Sequence, residues 1–482
     1  GGLGAITTIA PTGLVALAWS GGIALALWSI VVAVEGRRHA ALRSSLLAGL
    51  ALSFRPDLVV VLLAGHLAVV ITRRRRHVLR ETRLAVVGLL VGLAPMWLHL
   101  SRAGVSAAWH GMVTEPVFDL RPGRSLPRPP RLDQVDGALQ YIAEHPAPWW
   151  PLPALSAAMQ IVVWFFLLIV IDAVLLVSAL RWWRRDRGPQ ARVLLVAAWI
   201  NVALLSQALQ RPDSAHLLWG SIIAMPVSCC WLMEWLLRRH RRSDRVDRTT
   251  GASRAAVAGA LLGPAVAVLV VLPFFTYRTA VMHVRQTLGT SLGGLPPGLP
   301  VTRGDRTYLL ADVRPWSATV QGVRDLDAMS RPGERLLVGP IDLRQTVYSD
   351  AFLYHLFPDL VPATPFIEMD PGLANGADSS LAADVASADW LLLTRFWSGW
   401  IEPNTSIVFG SDLPNQVVES EFCLVGSYEH DLMRLYRRCP GGGAPGPYEG
   451  PYDPDYDFAV ESKVPVPPRP DGTYPPGSPA AP

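Results

Sequence analysis

Apolar runs approaching 20 residues recur from the N-terminus to about residue 275, and they limit the fold more than any other feature of the chain. In hydrocarbon each run must satisfy its own backbone N–H and C=O groups, so each reads as a membrane-crossing helix. The expectation is a mainly α, polytopic transmembrane helical bundle over residues 1–275. A small C-terminal α/β domain follows at 276–440, and then a tail at 441–482 whose Pro/Gly-rich composition predicts disorder. The net charge of +4 does not suggest a nucleic-acid partner, because the positive charge sits in short clusters between apolar runs. Such clusters are an orientation signal.

Those clusters are Arg37-Arg38, Arg73 to Arg76, Arg181 with Arg184, Arg185 and Arg187, and Arg238 to Arg245. If all face the cytoplasm, the runs between them cross an even number of times. Residues 39–72 then form a hairpin of two short helices, and residues 191–237 form a second hairpin. Further crossings are expected near 3–19 and 21–35, broken at Ser20-Gly21-Gly22, and at 84–100, 156–180 and 255–275. Residues 101–154 become one long extracytoplasmic loop, and the C-terminal domain is delivered to the same side. The chain begins at Gly1 with no Met and no charged signal-peptide start, which predicts a fragment lacking its true N-terminus.

Arg-Pro-Asp occurs twice, as Arg55-Pro56-Asp57 and Arg211-Pro212-Asp213, and each copy falls at the outer turn of one predicted hairpin. Proline lacks an N–H and disfavours helical geometry in the residue before it, so each Arg-Pro step predicts a helix end. Ionisable groups this close to hydrocarbon usually mark a ligand or ion path. A guanidinium can hold a phosphate bidentately while a neighbouring acid orients it. His216, three residues beyond Asp213, adds a group that can donate to phosphate or exchange a proton near neutral pH. The competing reading is structural: Arg55 and Asp57 neutralise each other at helix ends, and His216 is a satisfied histidine at a loop tip.

The outer loop adds His110, Glu115, Arg121 and Arg124, and its arginines suit an anionic acceptor or a lipid phosphate. Arg128 and Arg131 read equally well as a proline-stiffened stretch on headgroups, and Trp149 with Trp150 as an interfacial belt. In residues 276–440, helices are expected at Thr319–Met329 and Pro414–Glu421. Strands are expected at Arg335–Val338 and Trp390–Thr394, with a closing hairpin of Phe422–Ser427 and Leu432–Tyr436. Asp342 follows a predicted strand end, where α/β ligand sites occur. Asp350, Glu368 and Asp370 read as turn chemistry rather than a metal site. Cys423 and Cys439 bracket the hairpin and could pair in an oxidising compartment, whereas Cys229 and Cys230 read as small apolar residues. No zinc spacing, glycine-rich phosphate loop, nucleophile elbow or triad pattern appears, so neither metal nor cofactor is expected.

Three stretches resemble the polyprenyl-phosphate-sugar-dependent membrane glycosyltransferases of the GT-C superfamily, in particular actinobacterial members with a C-terminal extracytoplasmic domain. They are Ala51-Leu52-Ser53-Phe54-Arg55-Pro56-Asp57, Gln210-Arg211-Pro212-Asp213-Ser214-Ala215-His216, and the region from Arg331-Pro332-Gly333-Glu334 through Asp350-Ala351-Phe352-Leu353-Tyr354. The resemblance implies a GT-C-like fold that transfers a sugar from a polyprenyl-phosphate-linked donor to a glycan, lipid or protein acceptor outside the cell membrane, in cell-envelope glycan assembly. It implies Arg55 and Arg211 on the carrier phosphate, with Asp57 and Asp213 orienting them and His216 assisting. The outer loop and C-terminal domain would shape the acceptor site. The catalytic carboxylate that the family carries in its first outer loop would lie upstream of residue 1. The rival readings are a transporter or lipid-linked-sugar flippase using the same charges as a pathway, and a noncatalytic anchor for a binding domain.

Overall fold

The fold is taken from a computed structural model, which describes residues 18–72, 78–132, 157–228, 230–231, 298–310, 312–346, 348–397, 404–405 and 408–439. The chain divides into two compact units, one of Gly1–Met112 with Leu126–Leu292, the other of Val113–Ser125 with Gly293–Pro482. The crossing expected at 255–275, most of that at 3–19, Trp149, Trp150, the clusters Arg73–Arg76 and Arg238–Arg245, and the tail lie outside the described residues.

The first unit is helical. Its helices are α1 (Ala18–Glu35), α2 (Ala40–Phe54), α3 (Val59–Thr72), α4 (Val78–Gly92), α5 (Ala94–Ala103), α6 (Val105–Trp109), α7 (Ala157–Arg185), α8 (Pro189–Gln210) and α9 (Ser214–Ser221). Among the described residues three helices are long and apolar enough to cross a membrane: α1, α7 from Ile161, and α8. A fourth span is counted if α4 and α5 are taken together, although they bend by 52°. The arms of the 39–72 hairpin, α2 and α3, are 15 and 14 residues long and fall short of that length.

Two sequence expectations are corrected here. No break occurs at Ser20-Gly21-Gly22, because α1 runs straight through it. The glycines serve packing instead: a Cβ on Gly22 would lie 3.0 Å from Leu58 and 3.4 Å from Arg55, so the bare backbone lets α1 approach the first Arg-Pro-Asp turn. The single crossing expected at 84–100 is broken at Leu93, since Pro95 in the first turn of α5 has no N–H to continue the ladder.

Three apolar clusters hold this unit together around α8, one of them joining Ala208 to Leu168 of α7 and Leu217 of α9. One face carries Val196, Ile200, Ala203 and Leu204, packed on Trp19, Ile23 and Ile30 of α1 and on Val61 and Leu62 of α3. Another carries Leu194, Leu195 and Ala198 against Leu175 and Ala179 of α7. Polar ties cross the bundle as well. Ser44 Oγ lies 2.8 Å from His66 Nε2 and Ser29 Oγ donates to the Ser44 carbonyl, linking α1, α2 and α3. Trp164 Nε1 donates to Ser221 Oγ at 2.9 Å, linking α7 to α9.

The second unit is α/β. A hairpin of β1 (Leu299–Arg303) and β2 (Arg306–Leu310) leads into α10 (Val313–Met329). Then follow β3 (Arg335–Pro340), α11 (Phe352–Leu356), β4 (Val361–Pro362), α12 (Leu381–Ser387), β5 (Trp390–Thr394), α13 (Leu413–Glu421), β6 (Phe422–Tyr428) and β7 (Met433–Arg438). The five-stranded sheet has the order β4-β3-β5-β7-β6, with β3 parallel to β4 and β5, and β7 antiparallel to β5 and β6. Alternation of side chains along a strand sends them to opposite faces. Leu336, Val338, Trp390 and Leu392 meet Ala318, Leu326, Leu353 and Leu356, while Leu337, Leu391 and Leu393 meet Leu381, Val385 and Val418. Both faces are therefore buried, and Cys423 and Cys439 form a disulfide across the end of the β6–β7 hairpin.

Candidate functional site

The two Arg-Pro-Asp steps fold alike. Each arginine is the C-cap of an apolar helix, held extended by the proline after it: Arg55 at φ −149°, ψ 98° after α2, and Arg211 at φ −153°, ψ 101° after α8. Beyond the proline they diverge. Pro56–Leu58 forms a single 3-10 turn into α3, whereas Asp213 caps the N-terminus of α9 by accepting the backbone N–H of His216 at 2.8 Å.

Each acid closes on its own arginine. Arg55 donates from Nε to Asp57 Oδ1 (2.9 Å) and from Nη2 to Oδ2 (2.7 Å), a bidentate pair. Arg211 donates from Nε to Asp213 Oδ2 at 2.6 Å, and His216 Nδ1 lies 2.8 Å from Asp213 Oδ1. The acid orients the guanidinium at both steps, and at the second it orients the imidazole too.

Two side chains that the sequence reading passed over join the steps. Gln207, in the last turn of α8, donates from Nε2 to Asp57 Oδ2 at 3.1 Å, tying the helix that ends in Arg211 to the first acid. The Trp219 ring on α9 lies 4.7 Å from the His216 ring and 5.9 Å from the Arg55 guanidinium, and it stacks on Trp19 of α1 at 5.2 Å. Arg55, Asp57, Arg211, Asp213 and His216 thus form one continuous cluster. Arg128, read equally well as an anion-binding arginine or as one on headgroups, donates to the Leu209 carbonyl at 2.9 Å and adds a third guanidinium near the end of α8.

Electrostatics keep both acids ionised. Burial pushes the Asp57 carboxyl up, but the Arg55 hydrogen bonds and charge, with Gln207, outweigh it and hold it below the usual carboxylate range. Burial pushes Asp213 up as well, and the hydrogen bond and charge of His216 with the charge of Arg211 again win. Gln207 and Trp19 are each 2% exposed, and Gln207 Oε1 and Trp19 Nε1 find no partner among the described residues. Buried polar atoms of this kind normally have one.

The other predicted residues lie elsewhere. His110 is exposed at the start of a wide helical turn, His110–Leu120. Glu115, Arg121 and Arg124 belong to the second unit. There Arg124 pairs with Asp370 and, at 3.4 Å, with Glu368, while Thr405 Oγ1 donates to the Gly123 carbonyl at 2.7 Å. Arg121 is exposed. Burial, with Glu368 and Glu115 nearby, raises the Asp370 carboxyl against the pull of Arg124. Asp342 is closed by a bidentate Arg344 and by Asn415. Among the described residues no group of three or more His, Cys, Asp or Glu is arranged around a metal.

Asp172 was also overlooked. It is the lone acid in the apolar stretch of α7, which is the signal that would have found it. Set against protein-family profiles, curated proteins and solved structures, the chain matches none.

Proposed function

We propose that this chain is the body of a membrane glycosyltransferase that moves a sugar from a polyprenyl-phosphate donor to an extracytoplasmic acceptor. The observation that carries the proposal is the joining of the two Arg-Pro-Asp steps by Gln207 and Trp219. Arginines aimed by fixed acids are suited to a phosphate that leaves with its negative charge, because preorganised donors stabilise charge where it develops. Arg55 and Arg211 hold the carrier phosphate in this reading, Asp57 and Asp213 aim them, and His216 shares a proton with the departing oxygen.

Two further facts support the orientation. Val113–Ser125 belongs to the same compact unit as the C-terminal domain, which supports putting both on one side of the membrane in this reading. The Cys423–Cys439 disulfide suits an oxidising, extracytoplasmic side. Transfer of labelled sugar from a polyprenyl-phosphate donor by the full-length protein tests the site. Arg211→Ala and Arg55→Ala should each lower kcat/KM at least ~100-fold, the usual scale for losing a preorganised donor to developing charge. Transfer left intact in Arg211→Ala would overturn the assignment.

One observation favours the transporter reading, namely the carboxylate of Asp172 deep in α7, which has no hydrogen-bond partner among the described residues. Movement of the lipid-linked sugar across proteoliposomes in the absence of acceptor would mark that activity.

A further inference from the structure

Asp172 and Asn201 are sealed in the seam between α7 and α8. They are 3% and 0% exposed, and both carboxylate oxygens and both amide atoms are buried with no hydrogen-bond partner among the described residues. The two residues share one level. Asp172 lies thirteen residues before the end of α7 at Arg185, and Asn201 twelve after the start of α8 at Pro189, in helices joined by Asp186–Gly188. At about 1.5 Å per residue their heights differ by no more than one step, roughly 18–20 Å from the arginine-rich end of the hairpin. That depth is well inside a hydrocarbon layer about 30 Å thick.

Apolar packing closes the seam on both sides of this level. Leu168 belongs to a cluster with Ala208 and Leu217, and Leu175 to a cluster with Ala198. Leucine at positions 172 and 201 would extend that packing, whereas a carboxyl and an amide left unpaired there each carry a desolvation cost. A partner that reaches atoms buried this deeply must be small. A carboxylate beside an amide carbonyl is an anionic set of hard oxygen ligands, which selects positive charge.

We propose that Asp172 and Asn201 together hold one small cation, a proton or an alkali-metal ion, inside the membrane-spanning hairpin. This site is separate from the Arg-Pro-Asp cluster and does not depend on the sugar-transfer reading. A bound cation neutralises Asp172 and locks α7 to α8 at mid-depth, since whatever binds the folded state alone stabilises it.

The test is thermal unfolding of the full chain in detergent, with sodium or potassium chloride exchanged for choline chloride at constant ionic strength, repeated across pH. An alkali ion at the site raises the wild-type Tm by about 5 °C over choline at saturation. A proton instead makes Tm rise as pH falls in choline alone. In either arm Asp172→Asn should abolish the response, and Asn201→Ala should weaken it. Equal responses in wild type and Asp172→Asn, in both arms, would overturn the proposal. Should Asp172→Asn fail to fold, infrared difference spectra of the wild type decide: carboxyl bands must shift on cation or proton exchange, and unchanged bands reject the site.

Discussion

Asp350 illustrates how a single side chain couples the C-terminal sheet to pH. It is 4% exposed beside the end of β5, where Thr394 Oγ1 and Trp397 Nε1 donate to its two oxygens. Burial raises its carboxyl to about 6, and the two hydrogen bonds pull it back only in part. The folded state therefore keeps a proton that the unfolded chain has released, so stability is full below about pH 4 and falls as pH rises through about 6. The shift corresponds to roughly 3 kcal/mol by neutrality. Asp350→Asn should flatten this slope, which denaturant unfolding of the C-terminal unit from about pH 4 to about pH 7 would reveal. A slope identical to wild type would show that another group titrates. The sequence placed Asp350 in a polar turn, but its shift follows from burial, offset in part by Thr394 and Trp397, more than 40 residues away along the chain.

At the scale of elements, α2 and α4 touch backbone to backbone. A Cβ on Gly92 would collide with the Leu46 carbonyl, and one on Gly88 with the Leu42 carbonyl. Small residues allow such approach where no hydrophobic effect drives helices together. Gly92→Val should therefore force the pair apart and cost about 1–3 kcal/mol, the usual scale of overpacking. The drop in Tm measures it, with Gly111→Ala as a control, since nothing lies within 4 Å of a Cβ there. Elements with a strong local signal were legible: β5 matches its expected residues, and α13, β6 and β7 differ by one or two at their ends. The β1–β2 hairpin was missed although Gly304, at φ 58°, and Asp305 form the tight turn that hairpins favour. The bend at Leu93 was missed because the apolar pattern continues across Pro95, and composition outweighed the missing N–H.

For the whole molecule, the membership of Val113–Ser125 in the C-terminal unit sets a strict topological demand. With Cys229 and Cys230 replaced by Ser, cysteines introduced at the exposed positions Asp119→Cys and Glu419→Cys should react with a membrane-impermeant maleimide from the same side of sealed vesicles. Labelling from opposite sides would break that unit and, with it, the proposed orientation. By itself the sequence determined that helices end at the two Arg-Pro steps, which segments are apolar, and that two arginines with adjacent acids stand at helix turns. These are local properties, set by proline chemistry and by the length of apolar runs. Only the tertiary structure decided that Gln207 and Trp219 join the two turns, that Asp172 and Asn201 share one buried level, and that Arg124 meets Asp370. Those pairings depend on helix rotation and strand order, which are fixed by contacts between residues far apart in the chain and leave no periodic trace in it.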